Sequence, residues 1–288
     1  MTLDLGELEA RIDAFSAETD SEKLGRKARK AVEDLLEALE KGSVRAATCD
    51  ARGHWTAVPW VKRGILLGFR ASKLEDMSVG DLTAGTLFSF VDKDLFPPRS
   101  FDKDDGVRIV PGGSMIRRGT YIAKGVVCMP PMYVNVGAYV GSGTMIDSHA
   151  LVGSCAQIGE RVHLSAAAQI GGVLEPVNAS PVIIEDDALV GGNCGVYEGT
   201  VVRRKAVLAA GVILTRGTPV YDLVKERVIK GSADAPLEIP EGAVVVPGSR
   251  AVTAKWGQQH GLSLQTPVIV KYRDAQTDLS TALEAWLR

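Results

Sequence analysis

Aromatic side chains are scarce in this 288-residue sequence, at 6%, and histidine occurs only four times. Charge of one sign is also missing. Lys and Arg (33) nearly balance Asp and Glu (35), leaving a net charge of −2. That balance offers no electrostatic footprint for nucleic acid or for an anionic membrane surface. No apolar run approaches the ~20 residues needed to span a bilayer. The opening MTLDLGELEARIDAF has neither the basic nor the apolar region of a signal peptide. Four cysteines occur, Cys49, Cys128, Cys155 and Cys194, and no two form a CxxC pair, so a zinc knuckle is not indicated. They are expected as buried free thiols in a reducing compartment, which makes the chain a cytoplasmic protein.

What is abundant is glycine, at 31 residues. A helical bundle rarely needs so much, whereas an architecture of many tight corners does. The corners are periodic. Every sixth residue from Ile116 is apolar: Ile116, Ile122, Cys128, Val134, Val140, Ile146, Val152, Ile158, Leu164 and Ile170. Gly141, Gly153, Gly159 and Gly171 each follow a column residue, and small residues such as Ala138, Thr144, Ala150 and Ala156 stand four positions on. The column resumes two residues out of phase at Ile184 and continues through Val190, Val196, Val202, Leu208 and Leu214 to Val220.

A period of six fits neither an α-helix nor a simple alternating strand. It predicts short strands joined by turns, three to a coil, stacked so that each inward aliphatic meets its equivalent eighteen residues later. The interruption Gly171–Pro181 (GGVLEPVNASP) should be an external loop, of the kind that shapes sites on rigid scaffolds.

Around the repeats, residues 7–41 read as helices, with Gly42 as a C-terminal cap. The basic run KLGRKARK (Lys23–Lys30) is read as a solvated helix face rather than a nucleic-acid patch. Residues 44–70 suggest a hairpin-like pair followed by an apolar segment, and Asp92–Asp105 a linker. Past Val220, residues 237–248 and 267–272 look like strands and Thr277–Arg288 like a terminal helix. The expected organisation is an N-terminal helical/α+β domain with its linker (1–105), a β-helix (106–222) and a strand-helix cap (223–288).

Stacked coils of this kind carry acyltransferases, some carbonic anhydrases and some structural proteins, so the site residues must decide. The segments YVNVGAYVGSGTMIDSHALVGSCAQIGERVHLS (Tyr133–Ser165), IGGVLEP (Ile170–Pro176) and PVIIED (Pro181–Asp186) resemble the tetrahydrodipicolinate N-succinyltransferases. Weaker likeness extends to WVKRGILLGFR (Trp60–Arg70), VRIVP (Val107–Pro111) and VIVK (Val268–Lys271). The resemblance implies a mainly β fold built on a left-handed parallel β-helix, and a homotrimer with active sites between adjacent subunits. It implies no tightly bound cofactor and no metal. Succinyl-CoA as cosubstrate would acylate the amine of a small amino-dicarboxylate, 2-amino-6-oxopimelate, in lysine and diaminopimelate synthesis. An acetyl-CoA-dependent relative and a non-catalytic coenzyme A-binding homologue are the alternatives. A carbonic anhydrase wants three histidine ligands, and the repeats offer only His149 and His163.

An amine attacking a thioester must lose a proton, and the oxyanion needs donors. By the resemblance Asp147 is the substrate-contacting and catalytic acid, and Arg108 binds substrate. Where well-known members carry an acid this chain has Gly195, and Glu198 is the replacement candidate. Ser148-His149 stands where the family has Thr-Trp. His149 is therefore a substrate-side base, as in sugar and serine acetyltransferases of this architecture, or a substitute for a packing ring. His163 matches a family residue and is read as structural. Ser154, Gly172, Arg203 and Lys205 are the candidate coenzyme A contacts, with Arg204 beside them.

Overall fold

The period-six aliphatics form the inner wall of a three-sided coil. The computed structural model describes residues 4–80, 88–232 and 235–274. Two-residue strands end on column positions from Met115–Ile116 to Ile213–Leu214. Column residues from Ile116 to Ile170 are at most 8% exposed, and those from Ile184 to Val220 are wholly buried. Their pairing is parallel, with Val140 beside Ile122 and Ile158, and Ile146 beside Cys128 and Leu164. Three sheets result, and the molecule is a left-handed parallel β-helix with a helical N-terminal region.

The first sheet runs through Tyr121–Ile122, Tyr139–Val140, Gln157–Ile158, Ile183–Ile184, Val201–Val202 and Glu238–Ile239. The second carries Arg108–Ile109, Met145–Ile146 and His163–Leu164, and the third Leu151–Val152, Gln169–Ile170 and Gly195–Val196. Three rows of corners join them in chain order.

The phase shift has a simple origin. Gln157 pairs with Ile183, so that coil contains 26 residues instead of 18. The eight extra residues are extruded between Ile170 and Ile183 as the expected loop. The coil also continues past residue 222, because Val202 stacks on Ile239 and Leu208 on Val245. Val220 keeps the six-residue spacing but not the stack. Its strand, Val220–Asp222, pairs with Arg227–Ile229 and with Ser263–Tyr272 instead. The strands expected at 237–248 and 267–272 fall within Glu238–Ile239, Ala243–Ala251 and Ser263–Tyr272. The terminal helix expected at Thr277–Arg288 lies outside the described residues.

At the other end, helices α1 (Leu5–Ser16), α2 (Arg26–Glu40) and α3 (Pro59–Ala71) share a second core. Asp4 caps α1 by accepting from the Gly6 amide at 2.9 Å. Leu8, Ile12, Val32, Leu35, Leu36 and Ile65 are fully buried together, and Val136 and Cys155 of the coil join them. Gly42, with φ of 69°, ends α2 in the left-handed conformation while the Ser43 amide donates to Ala38. The hairpin of 44–70 is Ala47–Cys49 against Trp55–Ala57, and its apolar segment is α3.

Lys23–Lys30 makes ordinary intramolecular pairs, Arg29 with Asp94 and Lys30 with Asp34. The expected linker is partly structure. Val91–Lys93 pairs with Leu74–Asp76, and Leu95 and Phe96 are buried at 2% and 1%. Cys128, Cys155 and Cys194 are buried as expected, whereas Cys49 is exposed on the hairpin.

The C-terminal strands are clamped by one acid. Buried Asp222 accepts from the Tyr272 hydroxyl (2.7 Å), Arg227 Nε (3.3 Å) and the amides of Val224 (3.2 Å) and Lys225 (3.1 Å). Burial alone raises the carboxyl pKa, but these donors outweigh it and hold it below the ordinary carboxylate value. A depressed pKa contributes stability above the unfolded value of about 3.9, lost as pH falls through the folded one. Asp222→Asn should therefore lower the thermal midpoint at pH 7. The wild-type minus variant difference should shrink as the pH is taken below 4. A pH-independent difference would dismiss the clamp.

Candidate active site

The three rows of corners separate the candidate residues into three groups. Between the second and third sheets, Asp147 directly follows inward Ile146. Its amide donates to Leu164 (2.9 Å), and its Oδ1 accepts from the Ser148 amide (2.7 Å). One carboxylate oxygen is thus anchored, and the other makes no hydrogen bond among the described residues. His149 stands exposed at the tip of this corner with φ of 62°, and its carbonyl accepts from Gln169 Nε2 (3.2 Å). Arg108 is on the adjoining second sheet. Arg108–Ile109 pairs with Val127–Cys128, which pairs with Met145–Ile146. Two strand spacings, roughly 10 Å, separate it from the Asp147 coil. The Arg108 side chain is exposed and has no ion-pair partner among the described residues. His163 lies on that same sheet, between Met145 and Leu189.

A second group gathers at the corner between the third and first sheets, beneath the extruded loop. Ser154 is 7% exposed, and its carbonyl accepts from the Val173 amide (3.1 Å). Gly172 packs on it so closely that a Cβ there would lie 2.6 Å from Ser154 N. Glu198 stands exposed on this corner with φ of 54°, its Oε2 accepting from the Arg216 amide (3.1 Å). Gly172 and Glu198, with Glu175, Tyr197, Thr215 and Arg216, border a cleft of ≈ 680 Å³, and Ser154 lies behind Gly172 rather than on the cleft wall. The loop is held from below. Lys62 of α3 is wholly buried and donates to the Ala179 carbonyl at 2.5 Å, and burial lowers its pKa.

The third group is at the corner between the first and second sheets. Arg203 donates to Glu185 (2.8 Å), Glu238 (2.8 Å) and the Gly53 carbonyl (2.6 Å). It ties the hairpin to the coil, and a phosphate would have to displace two carboxylates from it. Lys205 is differently placed, at an exposed corner with φ of 58° and its amide donating to Asp186 (2.9 Å). Arg204 approaches Asp187 at 3.8 Å.

Within one chain, then, Ser154, Gly172 and Glu198 come together, as do Asp147, His149 and Arg108 at longer range. Asp147 and Glu198 occupy different corners. Among the described residues no cluster of three ligating side chains could hold a metal, and no helix is long and apolar enough to cross a membrane.

Sequence reasoning missed Tyr197 and Arg216. The Tyr197 ring lies back across the third sheet, over two glycines. A Cβ on Gly195 would meet Tyr197 Cε2 at 2.5 Å and its hydroxyl oxygen at 2.9 Å, and one on Gly171 would meet Cδ1 at 2.7 Å. The phenol therefore occupies the space of a side chain at 195. The signal was a bare glycine at an outward strand position with an aromatic two residues on.

Residues 7–71 match the family model described as "Tetrahydrodipicolinate N-succinyltransferase N-terminal". Residues 181–216 match "Hexapeptide repeat of succinyl-transferase". A 2,3,4,5-tetrahydropyridine-2,6-dicarboxylate N-succinyltransferase of Nitrobacter hamburgensis is 42% identical over 99% of this chain and 100% of its own length. One of the same name from Cereibacter sphaeroides is 42% identical over 98% of each. Among solved structures, a hexapeptide-repeat-containing acetyltransferase of Vibrio cholerae is 20% identical, covering 42% of this chain and 65% of its own, with a TM-score of 0.30. Likeness at 42% identity that runs from the helical region through the coils to the cap leaves one assignment: the chain belongs to the tetrahydrodipicolinate N-succinyltransferase family.

Proposed function

We propose that this chain is a coenzyme A-dependent N-acyltransferase that moves a succinyl group from succinyl-CoA to the amine of the ring-opened form of 2,3,4,5-tetrahydropyridine-2,6-dicarboxylate. The observation that carries the reading is the end-to-end likeness to relatives bearing that name. The chain's own chemistry supports it. Asp147 offers a carboxylate oxygen that no group among the described residues engages, on an otherwise anchored corner, suited to taking the proton from the attacking amine. Arg108, exposed on the neighbouring sheet, can receive an acceptor carboxylate. The cleft beneath the loop, lined by Gly171 and Gly172, leaves backbone groups against which a thioester can lie.

Asp147 and Glu198 stand at separate corners, so a site using both must be completed by a neighbouring subunit. We therefore read the enzyme as a homotrimer with its sites between subunits. Asp147 and Glu198 act as acids in this reading, with Arg108 and His149 on the acceptor side. Ser154, Gly172 and Lys205 are on the coenzyme A side, and Arg203 supports the wall.

Free thiol release, followed with tetrahydrodipicolinate as acceptor, tests the donor. Succinyl-CoA should exceed acetyl-CoA in kcat/KM by at least tenfold. An acetyl preference would instead assign a relative with a shorter acyl donor. Coenzyme A binding without release from either would make the chain a non-catalytic homologue.

A further inference from the structure

The cleft beneath the 171–181 loop contains a cation without an anion. Arg216 borders it, and its Nε is buried without any hydrogen-bond partner. Among the described residues no carboxylate lies within ion-pair distance of its guanidinium, and no hydrogen bond from the Arg216 side chain is made. Glu198, the nearest acid in sequence register, takes the Arg216 backbone amide instead. Several other part-buried guanidiniums are paired, Arg203 with Glu185 and Glu238 and Arg117 with Asp92; Arg250 Nε is likewise buried without a partner, but Arg250 borders no part of this cleft. A buried donor left unmade costs stability, and a ligand that satisfies it recovers that cost on binding.

Beside it, the Tyr197 hydroxyl lies over Gly195 and is bonded to no group among the described residues. Thr215 Oγ1 is already engaged with Thr218 Oγ1 at 2.8 Å, which leaves Arg216 and Tyr197 as the unsatisfied donors on this wall. Glu175 and Glu198 both line the cleft, Glu198 on the Arg216 amide, and each disfavours a further negative charge close to itself, so the anion accepted must be small and held at the guanidinium, away from both carboxylates.

We infer that Arg216, aided by the Tyr197 hydroxyl, is the receptor for the distal carboxylate of a dicarboxylic acyl donor. A guanidinium meets a carboxylate through two parallel hydrogen bonds, which gives both orientation and charge selection. The assignment rests on the acyl-transfer reading and supplies what that reading lacks, a residue by which the chain distinguishes a four-carbon diacid from an uncharged acyl group.

The test compares succinyl-CoA with butyryl-CoA, which has the same chain length and no distal charge. Wild type should prefer succinyl-CoA. Arg216→Gln should lower kcat/KM for succinyl-CoA by about tenfold to a hundredfold, the loss expected for one charged hydrogen-bonded contact, and collapse the succinyl-to-butyryl ratio. Arg216→Lys should recover part of that ratio, and Tyr197→Phe should lower it less. An equal loss with both donors, or none, would overturn the inference. So would a raised KM for the acceptor with donor discrimination intact, because the carboxylate at Arg216 would then be the acceptor's. Calorimetric titration with the same two thioesters separates this inference from the one beneath it. Charge-selective binding that depends on Arg216, without turnover, would refute the transferase reading alone. Turnover of both donors without selection would refute only the role of Arg216.

Discussion

Asp147→Asn should abolish most turnover while leaving the coil intact. The expected fall in kcat is about a hundredfold to ten-thousandfold, the range for losing a positioned acid-base group. The fold should be indifferent, because the Ser148 amide donates at 2.7 Å to an oxygen that asparagine retains. The Asp147 backbone bonds to Leu164 and Ala150 do not involve the side chain at all. Asn can accept at the corner but cannot take a proton at neutral pH, so the substitution separates chemistry from corner-building. If Asp147 served only to bond turn amides, the variant would turn over as wild type does. Steady-state thiol release, paired with a thermal melt and a sizing run, reads all three quantities. Undiminished kcat would remove Asp147 from the mechanism, and a lowered melting midpoint would show that its carboxylate holds the corner.

The coil was legible because its cause is local and repeated. An aliphatic every sixth residue has one arrangement in which all such residues are buried, and the structure buries each of them. Even the break was readable, since an insertion that is not a multiple of six must shift the phase. Val220 marks where spacing ceases to inform. It is in phase and buried, yet its strand leaves the coil to pair with Arg227–Ile229 and Ser263–Tyr272. The second of these pairings sets Tyr221 beside Val268, 47 residues on, and no short-range pattern contains it.

The site was legible in a similar, partial way. Asp147 is visible as an acid directly after Ile146 and Glu198 as one two residues after Val196, but which corner each occupies follows only from counting coils across the eight-residue insertion. Arg203 reads as one of three adjacent cations, whereas its partners Glu185 and Glu238 come from neighbouring coils 18 and 35 residues away. Arg216 is the converse case. Nothing in its neighbourhood in sequence says that its guanidinium goes unpaired, because that depends on what the loop and the next coil fail to supply.

The glycines that follow column residues carry the second large prediction, since they fix how closely successive coils approach. A Cβ added at Gly153 would lie 2.2 Å from Gly172 N and 2.6 Å from Gly172 Cα, and one at Gly141 2.5 Å from the Gly159 carbonyl oxygen. At Gly191 the distance to Ala210 N is 2.6 Å. Backbone is what each would strike, and adjacent strands cannot move apart without breaking the ladder that sets their ~4.8 Å spacing. At Gly153 the ladder is bonded on both sides of the clash, from its amide to Ile170 (2.8 Å) and from Val173 to Ser154 (3.1 Å). Gly153→Ala should therefore cost about 3 kcal/mol as overpacking that no rotamer relieves. Because the atoms struck begin the 171–181 loop, the cleft lined by Gly172 and Arg216 should be displaced as well. Acyl transfer should fall even in the fraction that remains folded. Gly25→Ala, where no atom lies within 4 Å of the new methyl, is the matched control and should shift the denaturation midpoint far less. Equal midpoints for the two variants would mean that the coils can separate to admit a methyl group, and the close approach would then not be what requires glycine there.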